Sequence, residues 1–67
     1  MDMSFGQLPI NGKFRQGEHP DGTIYEKLLL TQEGHHQFNA TGWVEMSEGM
    51  VQKKVFFPDH TLVYPVV

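Results

Sequence analysis

Apolar and aromatic residues recur along the chain in short runs that are separated by turn-forming residues. Five such runs occupy residues 12–16, 23–31, 37–46, 50–57 and 62–66. The breaks between them contain Gly, Pro, Asp and Ser, and Asn11 precedes the first run; these residues are typical of tight turns. No long stretch shows the 3.6-residue period of an amphipathic helix. The pattern therefore predicts an all-β protein with five short antiparallel strands, arranged as a small SH3-like barrel or a curled sheet.

The strand at residues 37–46 has the clearest alternation of apolar and polar positions. One side of it carries Phe38, Ala40, Gly42 and Val44. Because neighbouring side chains in a strand point to opposite faces, Trp43 is expected to face outward together with Asn39 and Thr41. The following Ser47-Glu48-Gly49 is predicted to be a three-residue hairpin loop that leads to the strand at residues 50–57.

The remaining segments alternate less clearly or contain residues that predict a turn, a loop or a sheet edge. Residues 23–31 form the longest apolar stretch, and both of its faces are partly apolar, so the alternation does not choose an inward face. Residues 32–36 are predicted to be an exposed loop, and Pro20-Asp21-Gly22 a type I turn. Because Pro65 cannot donate a backbone hydrogen bond, the last strand is expected at an edge of the sheet.

The predicted core follows from these faces, and its size sets the expected stability. Its members are Phe14, Leu28, Phe38, Val44, Val55, Phe57 and Val63, with Leu8 near one end. A chain of 67 residues is expected to form one domain. A domain of this size buries only about 60% of its unfolded surface, so stability is marginal. The chain has no cysteine, which excludes disulfides and leaves association with a second copy open as a source of buried area.

Several short motifs together resemble a loose group of small bacterial and phage-encoded proteins of uncharacterised function. The motifs are Phe5-x-x-Leu8-Pro9-x-x-Gly12-x-Phe14, Tyr25-Glu26-Lys27-Leu28, Phe38-Asn39-Ala40, Val55-Phe56-Phe57-Pro58-Asp59 and Val63-x-Pro65-Val66. The chain departs from the group by one residue fewer between Gly12 and Phe14, and by extra residues after Asn39 that include Trp43. The resemblance implies a compact β domain from a bacterial or phage-infected cytosol, and it implies no catalytic or binding residue.

Composition narrows the classes of function. Eight acidic and five basic residues give a net charge of −3, which disfavours general binding to phosphate backbones. The first residues lack the basic and apolar segments of a signal peptide. No apolar run approaches the roughly 20 residues that span a bilayer. We therefore expect a cytoplasmic protein that does not enter a membrane.

The chain offers no convincing catalytic or metal-binding motif. His19, His35, His36 and His60 lie in predicted loops and lack the His-x-x-x-His or His-Glu-x-x-His spacing of metal sites. Asp59-His60 next to Ser4 or Ser47 would be needed for a triad, but side chains adjacent in sequence seldom make the oriented contact that a triad requires. The sequence therefore predicts a protein that is not an enzyme and holds no metal or cofactor.

The leading hypothesis is a small binding module that acts by protein–protein contact and modulates or stabilises a larger assembly. Its candidate contact residues are Trp43, Met46, Met50 and Phe56. An exposed tryptophan near adaptable methionines is a suitable anchor for a protein partner or a homodimer. The partner's identity is left open.

The alternative hypothesis is a single-stranded nucleic-acid-binding small β-barrel. Its candidate residues are Lys13, Arg15, Lys53 and Lys54, with Tyr25, Trp43 and Phe56 as stacking platforms. The net negative charge disfavours this alternative, which predicts an affinity that falls steeply with salt.

Overall fold

The computed structural model describes residues 2–17 and 23–66 and consists of strands with one short 3₁₀ helix. The elements are β1 (Met3–Ser4), the 3₁₀ helix (Phe5–Gln7), β2 (Lys13–Arg15), β3 (Ile24–Glu33), β4 (His36–Met46), β5 (Gly49–Val55) and β6 (Leu62–Pro65). All paired strands are antiparallel, in the order β1-β6-β2-β3-β4-β5. The predicted all-β class is confirmed, and β1 adds a sixth strand to the five that were predicted.

The sheet is open and curled. In the described part of the chain β1 and β5 form its two edges and do not pair with each other, so the sheet is not closed into a barrel. The expected edge position of the last strand is wrong, because β6 lies between β1 and β2. The two halves of β6 have different neighbours: β1 pairs with Leu62 and Val63, and β2 with Tyr64 and Pro65. A proline fits here because the described pairs between β1 and β6 stop at Val63, so no partner in β1 needs a hydrogen bond from residue 65.

The β3–β4 and β4–β5 hairpins have tighter turns than the sequence indicates. The predicted loop at residues 32–36 is wrong, since β3 continues to Glu33 and pairs there with His36. The turn between them contains Gly34, which has a φ of 60° that favours glycine. The second loop also contains two residues rather than three, because Gly49, with a φ of 119°, already pairs with Met46. The predicted turn at residues 20–22 lies outside the described residues.

The core is a cluster of aromatic rings on one face of the curled sheet. Its buried members are Phe5, Leu8, Phe14, Tyr25, Ala40, Phe57 and Val63. The Phe14 ring lies at the centre, with its centroid 5.4 Å from that of Phe5, 5.6 Å from that of Tyr25 and 5.4 Å from that of Phe57. Edge-to-face and offset-stacked aromatic pairs at such distances add to the stability that burial alone provides.

Most of the predicted core is buried, with three corrections. Leu28, Val44 and Val55 are only partly buried. Leu28 lies where the β3–β4 register shifts, so its strand arches away from β4. Val44 lies beyond the last residue pair between β3 and β4, and Val55 is the last residue of β5, where it packs against the cluster from its margin. Phe38 is buried outside the cluster, beneath the Lys54 ammonium and beside the His36 ring.

Asn39 is buried rather than outward-facing, which corrects the prediction from alternation. It is only 7% exposed. Its Nδ2 donates a hydrogen bond to the carbonyl oxygen of Phe57, and its Oδ1 accepts one from the Phe57 backbone N–H, both at 2.8 Å. The Asn39 side chain therefore makes the two hydrogen bonds that a neighbouring strand would make to the Phe57 backbone. Without them, the N–H and the C=O of Phe57 would be buried without partners.

Lys27 connects the sheet to the 3₁₀ helix. Its ammonium donates to the carbonyl oxygens of Phe5 at 2.9 Å and Leu8 at 2.7 Å. The same nitrogen lies 4.7 Å from the centre of the Phe5 ring. Phe5 begins the helix and Leu8 follows its last residue, so these contacts tie both of its ends to β3 and hold Phe5 and Leu8 over the core.

Gly42 provides the space that the Tyr25 ring occupies across β4. A Cβ atom at Gly42 would lie 2.8 Å from Cδ1 of Tyr25 and 2.9 Å from Cγ2 of Thr23. We expect Gly42→Ala to destabilise the fold by about 1–3 kcal/mol, because overpacking displaces the ring. Urea denaturation followed by circular dichroism measures this change. Gly17→Ala is the matched control, since a Cβ there meets no atom within 4 Å; equal effects of the two substitutions would contradict this role of Gly42.

Candidate functional site

The register of the strands defines an outer face, on the side of the sheet opposite the aromatic core. Phe14 and Tyr25 pair with each other and point into the core, so the residues that flank them in β2 and β3 point outward. When the β3–β4 register is continued by one residue, Ile24 lies opposite Trp43. One cross-strand row of the outer face thus contains Tyr64, Arg15, Ile24, Trp43 and Gln52.

A groove of about 630 Å³ lies on this outer face and spans β2 to β5. We call it the Trp43 groove. Its outward-pointing apolar side chains are Ile24, Trp43 and Met50, and its charged ones are Lys13, Glu26 and Glu45. The volume is in the range of small-molecule and peptide side-chain pockets. Its polar groups come from three strands, so a bound group would meet an apolar floor with charges on several sides.

The apolar lining is unusually accessible to solvent. Trp43 is 56% exposed, Met50 59% and Ile24 42%. Tryptophan is the residue most enriched in interface hot spots, and methionine adapts its shape to different partners. An exposed tryptophan between two other apolar side chains is therefore a physically reasonable contact surface.

Of the four candidate contact residues, the fold brings two together. Trp43 and Met50 both line the groove. Met46 is exposed, but alternation along β4 places it on the other face, at the end of the hairpin. Phe56 is exposed just after the end of β5 and does not line the groove. Sequence reasoning missed Ile24, which reaches Trp43 only through the register of two strands.

The four cations of the nucleic-acid alternative do not share one face. Lys13, Arg15 and Lys54 lie on the outer face with Trp43, and alternation along β5 places Lys53 on the other face. The Lys54 ammonium lies 2.9 Å from Oε1 of Glu33 and so is partly neutralised. Lys13 is paired across the strands with Glu26. The outer face thus mixes both signs of charge.

The described histidine candidates do not converge on a metal-binding group. Residues 2–17 and 23–66 contain no group of three His, Asp or Glu side chains with the geometry to hold a metal ion. His19 lies outside the described residues. Asp59 and His60 form the turn before β6, where the Asp59 carbonyl accepts a 2.9 Å hydrogen bond from the N–H of Gly6. This contact gives the turn a structural role in holding the 3₁₀ helix.

Among the described residues, no helix has the length and apolar character needed to cross a bilayer.

No protein-family model, curated protein or solved structure matches this chain. The function is therefore inferred from the residues of the Trp43 groove and their surroundings.

Proposed function

We propose that this protein is a small non-enzymatic binding module that acts by protein–protein contact through the Trp43 groove, and that it modulates or stabilises a larger assembly. The observation that carries the proposal is the exposure of Trp43, at 56%, on a face that also exposes Ile24 and Met50. Apolar side chains grouped in this way are typical of interaction sites rather than of a surface that contacts only water.

The groove has the layout of a small protein interface. Trp43, with Ile24 and Met50, provides the apolar centre, against which a partner's side chain loses contact with water. Lys13 lies towards β2, and Glu45 towards the tip of the β4–β5 hairpin. Glu26 lies opposite Lys13, so a partner meets both signs of charge on that side of the apolar centre and only a negative charge on the other. This difference favours one orientation of the partner over the reverse.

The proposed setting is the cytosol of a bacterium, with either a host or a phage gene as the source. The resemblance to small bacterial and phage-encoded β proteins supports this setting, as does the lack of cysteine. Extract from such a cytosol is therefore the material in which to look for the partner.

Trp43→Ala is expected to weaken binding of the partner at least about tenfold, since removal of a central tryptophan typically costs 2 kcal/mol or more. The measurement is affinity capture from cytosolic extract with the tagged wild-type chain and with the variant, quantified by mass spectrometry. Leu62→Ala is the matched control, because Leu62 is 58% exposed and lies in β6, away from the groove. Capture that is unaffected by Trp43→Ala but lost with Leu62→Ala would contradict the proposed site.

A second candidate function is the binding of single-stranded nucleic acid on the same face. Its support is that Arg15 belongs to the same cross-strand row as Trp43, and Lys13 lines the same groove. A positively charged side chain beside an exposed aromatic ring is the usual arrangement for stacking an unpaired base. Capture repeated after nuclease treatment separates the two functions, because only recovery through nucleic acid is lost.

A further inference from the structure

The two edges of the sheet differ greatly in length. β1 contains two residues, whereas β5 contains seven, Gly49–Val55. In the described part of the chain β5 pairs with β4 on one side only. Its other side presents unpaired N–H and C=O groups, which form a template for a further strand.

The hairpin formed by β4 and β5 extends beyond the rest of the sheet. The last pair between β3 and β4 is Tyr25–Gly42, but the pairing of β4 with β5 continues to Met46–Gly49. Residues 44–51 therefore form a two-stranded arm, and all of them except Val44 are exposed. A two-stranded ribbon is marginally stable in water unless it packs on something else.

The arm carries apolar side chains on both of its faces. On the outer face lies Met50, next to the Trp43 groove. On the other face lie Val44, Val51 and Met46, of which Val51 and Met46 are exposed. A strand added to one edge brings its own side chains next to both faces of the arm.

We propose that β5 pairs antiparallel with β5 of a second copy, about a twofold axis at Val51. The result is one continuous sheet that contains the six strands of each copy. This inference extends the proposed function, because it adds a second copy as a protein partner. It leaves the Trp43 groove of each copy open on the same face of the joint sheet, since a twofold axis perpendicular to a sheet keeps each face on its own side.

The apolar pattern supports this register. Val44 and Val51 already lie opposite each other in the β4–β5 pair. An axis at Val51 extends that pair into a row of four valines, two from each copy, across four adjacent strands. Cross-strand pairs of β-branched residues stabilise a sheet. An axis one residue later, at Gln52, would instead place Val51 opposite Lys53 of the second copy.

The charges support the same register. With the axis at Val51, Lys53 of one copy lies opposite Gly49 of the other, so no two lysines face each other. With an axis at Lys53, two lysines would lie directly opposite each other, which is destabilising. Lysines on an edge strand usually prevent association; here the Lys54 ammonium already has Glu33 of its own chain 2.9 Å away, which reduces that repulsion.

The backbone geometry indicates which residue would block the pairing. Met46 and Gly49 flank a two-residue turn, so they form a hydrogen-bonded pair, and such pairs alternate along the ribbon. The backbone groups of residues 49, 51, 53 and 55 therefore face β4. Those of Met50, Gln52 and Lys54 face the open edge. Gln52→Pro removes a donor from the open edge and leaves the β4–β5 hydrogen bonds in place.

Disulfide trapping with purified protein tests the register directly. The chain has no cysteine, so Val51→Cys introduces the only thiol. Across a twofold axis at a non-hydrogen-bonded pair, the two Cα atoms lie about 4.5 Å apart, within the range of roughly 4.4–6.8 Å that disulfides require. We expect Val51→Cys to form a covalent dimer under mild oxidation at least about ten times faster than the Leu62→Cys control, because pairing raises the local thiol concentration. Equal rates for the two variants would overturn the proposal.

Sedimentation velocity over a range of concentrations tests the association itself. The wild-type mass is expected to rise from 7.7 kDa towards twice that value with concentration, and Gln52→Pro is expected to remain at 7.7 kDa. Circular dichroism shows whether Gln52→Pro is folded. A wild-type chain that stays at 7.7 kDa throughout, or a dimer that forms equally with folded Gln52→Pro, would overturn the proposal. Both experiments use the purified chain alone, so their outcome is independent of whether the Trp43 groove binds a partner.

Discussion

Phe14→Ala is expected to unfold a large part of the protein population at room temperature. Phe14 is fully buried, at 0% exposed, and its ring contacts those of Phe5, Tyr25 and Phe57. Truncation of a buried phenylalanine costs about 3–5 kcal/mol, because it removes the transferred apolar area and leaves a cavity. For so short a chain, this loss is comparable with the whole free energy of unfolding, for which about 5 kcal/mol is the low end among proteins.

Urea denaturation followed by circular dichroism measures the effect, and Phe56→Ala is its matched control. Phe56 is the same residue type, but it is 49% exposed and lies just after the end of β5. We expect Phe56→Ala to change the free energy of unfolding by no more than about 1 kcal/mol. If the two substitutions lowered the midpoint equally, the aromatic cluster would not be the main core.

Asn39→Leu is expected to lower the free energy of unfolding by about 2–5 kcal/mol. Leucine has the same branching at Cγ but cannot form hydrogen bonds, so it leaves the N–H and the C=O of Phe57 without partners. A buried polar group that loses its hydrogen bond costs about 1–3 kcal/mol, and here two such groups are affected. Because Phe57 belongs to the core, its displacement also loosens the packing around Phe14.

Two further variants separate the role of Asn39 from general effects on β4. Asn39→Asp keeps an acceptor for the Phe57 N–H but has no donor for the Phe57 carbonyl oxygen, so it should also destabilise the fold. Gln37→Ala changes an exposed residue of the same strand and should have an effect below about 0.5 kcal/mol. An effect of Asn39→Leu as small as that of Gln37→Ala would show that the paired hydrogen bonds contribute little.

The strand pattern could be predicted from sequence because alternation and turn residues act locally. Phe14 lies between Lys13 and Arg15, and Phe57 shares its strand face with Val55, so the burial of both follows from the period of two. β1 was missed because a strand of two residues leaves no period to detect. The inward face of β3 was undecided because both of its faces are partly apolar, and it is set by Gly42, which gives the Tyr25 ring its space.

The errors concern residues whose environment depends on distant segments. Asn39 was expected to face outward on alternation alone, but its hydrogen-bond partner Phe57 lies 18 residues further along the chain. Leu28 was expected in the core, but the register shift between Lys27 and Thr31 arches the strand there. Neither the partner nor the shift has a local signal in the sequence.

For the candidate site, the direction of Trp43 could be predicted from nearby residues, whereas its neighbours in the groove could not. That Trp43 points away from the core follows from the alternation in β4. That Trp43 has Ile24 and Met50 as neighbours follows from the registers of β3–β4 and β4–β5, and hairpin register depends on the turns. Met46 was grouped with Trp43 because it flanks the hairpin tip, and Phe56 because it shares a strand face with Met50, but the groove is formed by residues from four strands.

The most direct test of the Trp43 groove uses the fluorescence of Trp43, which is the only tryptophan in the chain. The captured protein partner is titrated while emission and acrylamide quenching are recorded, and the same titration with Trp43→Phe is subtracted to remove the partner's own signal. We predict that free Trp43 is readily quenched, and that bound Trp43 shifts to shorter wavelength and becomes protected from acrylamide. Saturable binding of the partner with unchanged emission and quenching would contradict the account, because the contact would then lie elsewhere on the protein.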